Sequence, residues 1–216
     1  MMIRRYPWVT AFTALYVLGF IAMALYRKNT EFLFYGAVML VLIGLVMWAD
    51  ARARFSAAVV WMLSVWGLLH MAGGVLRLEQ GGDTVALYSY WLIQPEVLKY
   101  DKLVHCYGFF VATLAVWEAL RRFLREELRT GLALFVIVAS AGMGLGAFNE
   151  VVEYTATVIS PDTNVGTYEN NAQDLVANMI GAGLAACLVW VRAGARSIEH
   201  KAQSTNLGDP PPSRVA

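Results

Sequence analysis

Residues 131–149 read GLALFVIVASAGMGLGAFN and contain no Asp, Glu, Lys or Arg. A helix that crosses a bilayer needs roughly 17–25 mostly apolar residues, so this stretch has the length and composition of one span. The next segment, residues 150–178, is opposite in character, because it holds five carboxylates, four asparagines and no Lys or Arg. A strongly polar segment therefore follows directly on an apolar one.

The composition extends the membrane interpretation to the whole chain. Hydrophobic residues make up 58% of the 216 residues and charged residues only 15%, far from the usual soluble range. A net charge of +1, with no basic patch among aromatic residues, argues against nucleic-acid binding. Six apolar runs have the length of a span: 7–26, 32–49, 57–76, 103–120, 131–149 and 174–192. We therefore expect an all-α integral membrane bundle of six transmembrane helices within residues 1–194.

The basic residues predict the orientation of this bundle. Cytoplasmic loops carry an excess of Lys and Arg. With the N-terminus inside, 12 of the 17 basic residues fall in inner segments and 5 in outer ones. Both termini are therefore expected in the cytoplasm, and residues 148–173 on the outer side. The first run is kept as a helix, because about 20 apolar residues exceed the 7–15 of a signal peptide and no small-residue cleavage site follows.

Two segments outside the spans, and the two cysteines, complete the organisation. Residues 77–102 form a long outer connection whose stretch TVALYSYWLI (84–93) is amphipathic enough to lie in the interface, as a cap over the bundle. Residues 195–216 are polar and Pro-rich, which predicts a disordered cytoplasmic tail. Cys106 and Cys187 are predicted at depths roughly 20 Å apart, too far for a disulfide.

Ionisable residues on the predicted spans are few, and at membrane depth such residues usually face a protein interior or a watery cavity. They fall on four spans, all toward the outer end: His70, the i, i+4 pair Asp101 and His105, the i, i+3 pair Glu150 and Glu153, and Asp174 with Asn178 one turn later. Toward the other end, Asp50 and Glu118 lie beside arginines and are expected to reach the interface. The shared depth predicts one polar site in the outer leaflet.

Each of these residues also has a purely structural explanation. A single membrane histidine such as His70 is more often a hydrogen-bonded packing residue than a ligand. Asp174 at a helix start would act as an N-cap, and Glu150 and Glu153 would be loop carboxylates in water. Carboxylate–imidazole pairs would also tie helices together, at about 0.6 kcal/mol per pair in membranes. The sequence is compatible with both the structural and the functional interpretation.

Three segments carry a resemblance to known families: YDKLVH (100–105), NEVVEY (149–154) and TYENNAQDLVANMIGA (167–182). This pattern resembles the YjdF-like family of bacterial inner-membrane proteins, and its core is also similar to the VanZ-like proteins, which are linked to glycopeptide resistance. The matching positions are Asp101, Lys102, His105, Glu150, Glu153, Asp174, Asn178 and Gly181, and LHMAGG (69–74) brings in His70. Asn170 and Asn171 stand where many YjdF-like members have aspartates. The resemblance implies a multi-pass protein of the bacterial cytoplasmic membrane, but no particular reaction.

The side chains at this end suit two kinds of chemistry. His70, His105, Glu150 and Asp174 offer nitrogen and oxygen ligands for Zn²⁺ or another divalent metal, with a further carboxylate to deprotonate a bound water. Metal-assisted hydrolysis of a lipid or lipid-linked envelope molecule would follow. Without a metal, Asp101 would orient His105 as a general base, with Glu150 or Asp174 as its partner. The predicted catalytic set is therefore Asp101, His105, Glu150 and Asp174.

The loop before the last span is predicted to complete the site. The segment SPDTNVGTYENNAQD (160–174) is expected to fold over the outer mouth as an ordered lid, with a solvated turn as the alternative. Glu153, Asn170, Asn171 and Asn178 are the predicted substrate-binding residues. The expected partners are membrane lipids and a lipid-linked substrate, and the oligomeric state is left open. The same cluster would also serve a non-catalytic receptor, a transport component or a structural tie between helices.

Overall fold

Six long helices form the bundle of this protein. The structure is a computed structural model that describes residues 2–28, 30–93, 97–124, 131–159 and 167–206. A short helix α1 (Met2–Arg5) precedes α2 (Pro7–Tyr26), α3 (Thr30–Ala53), α4 (Ala57–Val75), α5 (Tyr100–Leu120), α6 (Leu132–Ile159) and α7 (Tyr168–Asn206). Helices α2 to α7 are all long and apolar enough to cross a membrane. The predicted all-α integral membrane bundle of six transmembrane helices is therefore confirmed.

The last two helices are longer than the apolar runs that predict them. α6 continues ten residues past 149, and α7 begins six residues before 174. Glu150, Glu153 and Asp174 therefore lie inside helices, so their interpretation as loop carboxylates or as an N-cap is wrong. α7 also continues to Asn206, beyond residue 194, after which the sequence predicts the tail. Residues 207–216 lie outside the described part of the chain.

Two short hairpins connect α4 to α5. Strands β1 (Arg77–Gln80) and β2 (Asp83–Ala86) pair antiparallel, and a turn at Leu87–Ser89 leads to the pair β3 (Trp91–Ile93) and β4 (Leu98–Lys99). Gly81 and Gly82 form the first turn with φ of +66° and +94°, which suits a two-residue hairpin loop. We call the end of the bundle that carries this connection the hairpin end.

Two tyrosine hydroxyls, one in the connection and one at the start of α5, bind the end of α4. Tyr88 donates to the carbonyl oxygen of His70 at 2.8 Å, and Tyr100 donates to that of Leu69 at 3.0 Å. The amphipathic stretch predicted to lie in the interface is thus folded as short strands joined by a turn, from which Tyr88 reaches the bundle. The connection covers the hairpin end near the polar residues of α5 to α7.

Close packing of α5 against α7 positions the polar residues. A Cβ added at Gly181 of α7 would clash with the backbone carbonyl of Cys106 in α5, so only glycine permits this approach. One to two turns earlier on α7, Asn178 and Asp174 consequently face the first turns of α5. Cys106 and Cys187 are both free, which confirms that they form no disulfide with each other.

At the end of the bundle opposite the hairpins, Asp50 is buried rather than at the interface. It is only 1% exposed, forms an ion pair with Arg5, and accepts a hydrogen bond from the backbone N–H of Phe55 at 2.9 Å. Arg5 also donates to the carbonyl oxygen of Phe55 at 3.0 Å. Glu118 accepts from the backbone N–H of Ser56 at 2.7 Å. The expectation that Asp50 reaches the interface is therefore wrong, because α1 brings an arginine to it.

Candidate polar site at the hairpin end

His105 lies at the centre of the polar residues of α5, α6 and α7 and is 5% exposed. Its Nε2 atom faces three carboxylates, because Asp101 Oδ1 lies 3.4 Å away and Glu153 Oε1 and Asp174 Oδ1 each lie 3.7 Å away. Asp101 is one turn before His105 on α5, while the other two come from different helices. One ring nitrogen thus collects oxygen atoms from three helices.

The opposite ring nitrogen of His105 has a different environment. Nδ1 lies 3.1 Å from Asn178 Oδ1 and 3.5 Å from Glu150 Oε1. Asn178 donates its Nδ2 to Glu150 Oε1 at 3.1 Å, so its oxygen is the atom that faces the imidazole. Because that oxygen only accepts, His105 must donate from Nδ1. The proton assignment inferred from this network leaves the Nε2 side directed at the three carboxylates.

Lys102 supplies a positive charge inside the same group. Its Nζ donates to Asp174 Oδ1 at 2.7 Å and to Asp101 Oδ2 at 3.1 Å. It also donates to the side-chain and backbone oxygens of Asn170, at 2.9 and 3.1 Å. The sequence places Lys102 in the motif but assigns it no role. Its ion pair with Asp174 becomes apparent only from the close approach of α7 to α5.

Three asparagine amides also donate to these carboxylates. Asn170 donates to Asp174 Oδ2, Asn171 to Glu150 Oε2 and Asn149 to Glu153 Oε1, each at 2.8 Å. Asn170 and Asn171 lie in the first turn of α7 rather than in a loop. Of the predicted lid segment 160–174, residues 160–166 fall outside the described residues, and residues 168–174 form the first turns of α7 instead of a loop.

His70 does not join this group. Its Nδ1 lies 2.6 Å from the Tyr88 hydroxyl, under the hairpins. Burial, and then the charge of Asp101, raise the pKa of Tyr88 well above its usual value. His70 therefore lies apart from the side chains around His105, and the predicted ligand set of His70, His105, Glu150 and Asp174 is not brought together as a whole.

Within the described residues, two overlapping sets have ligand atoms within 4.8 Å of one another. They are Asp101–His105–Asp174 and His105–Glu150–Glu153. We call these five residues with Lys102 and Asn178 the polar cluster. It contains four carboxylates against one lysine and one histidine. This formal excess of negative charge makes a cation the ligand that the cluster is best suited to bind.

An apolar cavity of about 370 Å³ adjoins the polar cluster. Its lining includes Glu153, Asn149 and His70 at the hairpin end and continues between α2, α3 and α4 to Val46 and Met47, where Met2 and Ile3 of α1 also line it. Glu153 belongs to both the cavity wall and the polar cluster. The polar residues are thus continuous with an apolar space inside the membrane-spanning part.

Comparison with known proteins identifies the family of the chain. The family described as "Predicted membrane protein (DUF2238)" matches residues 8–195. The chain therefore belongs to this family, and the resemblance to YjdF-like proteins is confirmed, whereas the similarity to VanZ-like proteins is not shown. No curated protein and no solved structure matches the chain.

Proposed function

We propose that the protein, a member of this membrane-protein family, binds a lipid or lipid-linked molecule of the bacterial inner membrane at the polar cluster, with a divalent cation on the Nε2 side of His105. The supporting observation is the convergence of Asp101, Glu153 and Asp174 on that one nitrogen, at 3.4–3.7 Å. Four carboxylates against one lysine and one histidine call for a further positive charge.

The donor set fits Zn²⁺ in type and spacing. Zn²⁺ takes imidazole nitrogen and carboxylate oxygen, usually in a tetrahedron with bonds of about 2.0–2.1 Å, which places neighbouring ligand atoms roughly 3.3 Å apart. The oxygens of Asp101 and Asp174 lie 3.4 and 3.7 Å from His105 Nε2, so small side-chain shifts would close such a site. This ligand set replaces the predicted one, in which His70 and Glu150 were partners of His105.

The residues behind His105 also suit a metal ligand. A metal-binding histidine normally donates its other N–H to a carboxylate or carbonyl, which fixes the orientation of the ring. Asn178 and Glu150 are placed to accept from Nδ1 in this way. Glu150 is thereby a positioning residue, and Asn178 forms hydrogen bonds with both His105 and Glu150.

The carboxylate of Glu153 is available to act as a general base. A divalent cation would supply Lewis acidity toward a phosphate or ester oxygen of a headgroup. Glu153 is the acid of the Nε2 face that also borders the apolar cavity, so it is placed to accept a proton from a water beside a bound headgroup. Hydrolysis of a lipid or lipid-linked molecule is the reaction that this arrangement supports best.

Lys102 supports a second candidate, in which the polar cluster only ties helices together. Its ammonium group already bridges Asp101 and Asp174, and no described buried side-chain N or O atom is without a hydrogen-bond partner. A metal would have to displace this lysine from Asp174 Oδ1. The two candidates therefore differ in whether Lys102 is a permanent partner or a competitor.

Elemental analysis of the purified protein after exposure to Zn²⁺ tests the proposal. We expect one metal per chain in the wild type. Asp101→Asn and His105→Ala should lose metal affinity by about tenfold or more, and should therefore contain less metal after the same exposure. Glu118→Gln, which removes an acid at the opposite end, should retain the metal. Absence of metal from the wild type, or equal content in all four proteins, would contradict the metal site and favour the helix tie.

A further inference from the structure

We infer that the apolar cavity holds one acyl chain of a bilayer phospholipid whose headgroup lies at the polar cluster. This inference rests on the proposed function, because it names the class of molecule that the cluster binds. The chain would enter with its ester end beside Glu153, Asn149 and His70 and with its methyl end toward Met47. Both ends of that path are part of one continuous cavity wall.

The walls of the cavity suit a hydrocarbon. Most lining residues are apolar, and three of the lining hydroxyls have partners within the protein. Thr13 and Ser64 share a hydrogen bond of 2.6 Å, and Thr10 donates to the carbonyl oxygen of Tyr6 at 2.9 Å. A hydrocarbon chain would leave these three hydroxyls with their partners, whereas a polar ligand would be desolvated along most of its length.

The dimensions correspond to a single chain. Along α4 the lining runs from Val60 to His70 and along α3 from Tyr35 to Met47, roughly 15 and 18 Å at 1.5 Å per residue. These lengths are about half of the 30 Å hydrocarbon core or slightly more, which is close to the depth of one leaflet. A volume of about 370 Å³ lies near the lower end of ligand pockets, roughly 300–1,000 Å³, so the second chain of the lipid stays in the bilayer.

The cavity also has an opening toward the bilayer. Leu18 of α2 and Leu40 of α3 line it while remaining 68% and 55% exposed. Exposed leucines on a membrane-spanning helix face lipid, so a chain can move in sideways between these helices. The headgroup then needs only to reach the hairpin end, where Glu153 joins the cavity to the polar cluster.

Photo-crosslinking on the wild-type protein in phospholipid vesicles tests this directly. The probe is a phosphatidylethanolamine with a diazirine near the end of one acyl chain, and the adducts are mapped by mass spectrometry. We expect adducts on lining residues that are buried, such as Met39, or half-buried, such as Val46 and Met47. Adducts confined to exposed residues outside the lining, such as Val41 and Leu45, would indicate ordinary surrounding lipid and overturn the inference.

A matched pair of substitutions on α3 provides the second test. Val38 lines the cavity, whereas Val41, one turn later, is outside the lining and 62% exposed. Val38→Trp fills the cavity and should reduce crosslinking of its lining by about tenfold, while Val41→Trp should leave it unchanged. Equal crosslinking in both variants would overturn the inference.

The same samples separate failure of the inference from failure of the proposed function. Bound metal together with crosslinks only on the exposed surface contradicts the acyl cavity alone. Crosslinks in the cavity without bound metal contradict the metal site and leave the lipid chain in place. A melting temperature and metal content of Val38→Trp equal to those of the wild type would show that its loss of crosslinking reflects the filled cavity and not a damaged fold.

Discussion

The two ends of the bundle both bury carboxylates, but with different partners. At one end Asp50 has one arginine and one backbone N–H, and the arginine also binds the carbonyl oxygen of Phe55. At the hairpin end four carboxylates share one lysine and one histidine. In the first arrangement one acid pairs with one arginine, so the two charges balance. In the second, acids from three helices surround a single nitrogen of His105.

Burial alone does not indicate the role of a carboxylate in this membrane protein. Depth and burial do not separate the two ends, because Asp50 and Asp174 are each 1% exposed. What separates them is the ratio of acids to cations and the convergence of the acids on one point. Among the residues that the structure describes, the excess of negative charge that a bound cation would relieve lies at the hairpin end.

The largest expected effect concerns which end faces outward. With Cys106 and Cys187 replaced by alanine, Thr84→Cys should react with a membrane-impermeant maleimide on intact cells. Arg52→Cys should react only after permeabilisation, because the excess of basic residues predicts that its end is cytoplasmic. The reverse pattern would place the polar cluster at the cytoplasmic side and contradict a site for outer-leaflet molecules.

The next effect is on stability at the balanced end. Asp50→Ala leaves the Phe55 N–H and the Arg5 guanidinium without their buried partner, which should lower the free energy of unfolding by about 3 kcal/mol. Zn²⁺ content should not change. Glu79→Ala on the exposed hairpin is the matched control, with an expected loss below about 0.5 kcal/mol. Loss of metal in Asp50→Ala would show that the two ends are not independent.

A smaller effect distinguishes the two roles of Lys102. If its ammonium competes with a cation, Lys102→Gln should raise Zn²⁺ affinity about tenfold, which corresponds to about 1.4 kcal/mol. Isothermal titration calorimetry would measure the change. Lys99→Gln, whose ammonium lies over the Trp91 ring and outside the polar cluster, should leave the affinity unaltered. Lower stability without any metal binding in Lys102→Gln would support the helix tie.

The sequence predicts the bundle well because membrane spans depend on length and composition, which are local properties. The runs at 7–26 and 57–76 match α2 and α4 within one residue. The prediction of α6 and α7 stops short, because Glu150 and Glu153 follow one apolar run, and Asn170 and Asn171 precede the other, without ending the helices. These polar side chains are tolerated there because other helices supply partners, which hydropathy along one helix cannot indicate.

The shared depth of the polar residues is also readable from sequence, but their partners are not. Helical spacing places Asp101 beside His105, and the structure has them in contact. The separation of His70 from that group depends on Tyr88, a residue of the connection whose path the sequence does not specify. The bridge from Lys102 to Asp174 likewise depends on how closely α7 packs against α5, which Gly181 permits.

The smallest expected effect tests the anchor between the hairpins and the bundle. Tyr88→Phe removes the hydrogen bond to the His70 carbonyl oxygen and should cost about 1 kcal/mol of unfolding free energy.

Burial and the charge of Asp101 raise the pKa of Tyr88, so the folded state favours the neutral phenol. The stability that this group contributes is therefore complete below its unfolded pKa of about 10 and is lost as pH rises toward the folded value. Thermal unfolding from pH 7 to 11 should show a steeper alkaline decline in wild type than in Tyr88→Phe. Parallel curves would mean that the connection is not anchored through this hydroxyl, and the hairpin end would then owe its order to the polar cluster alone.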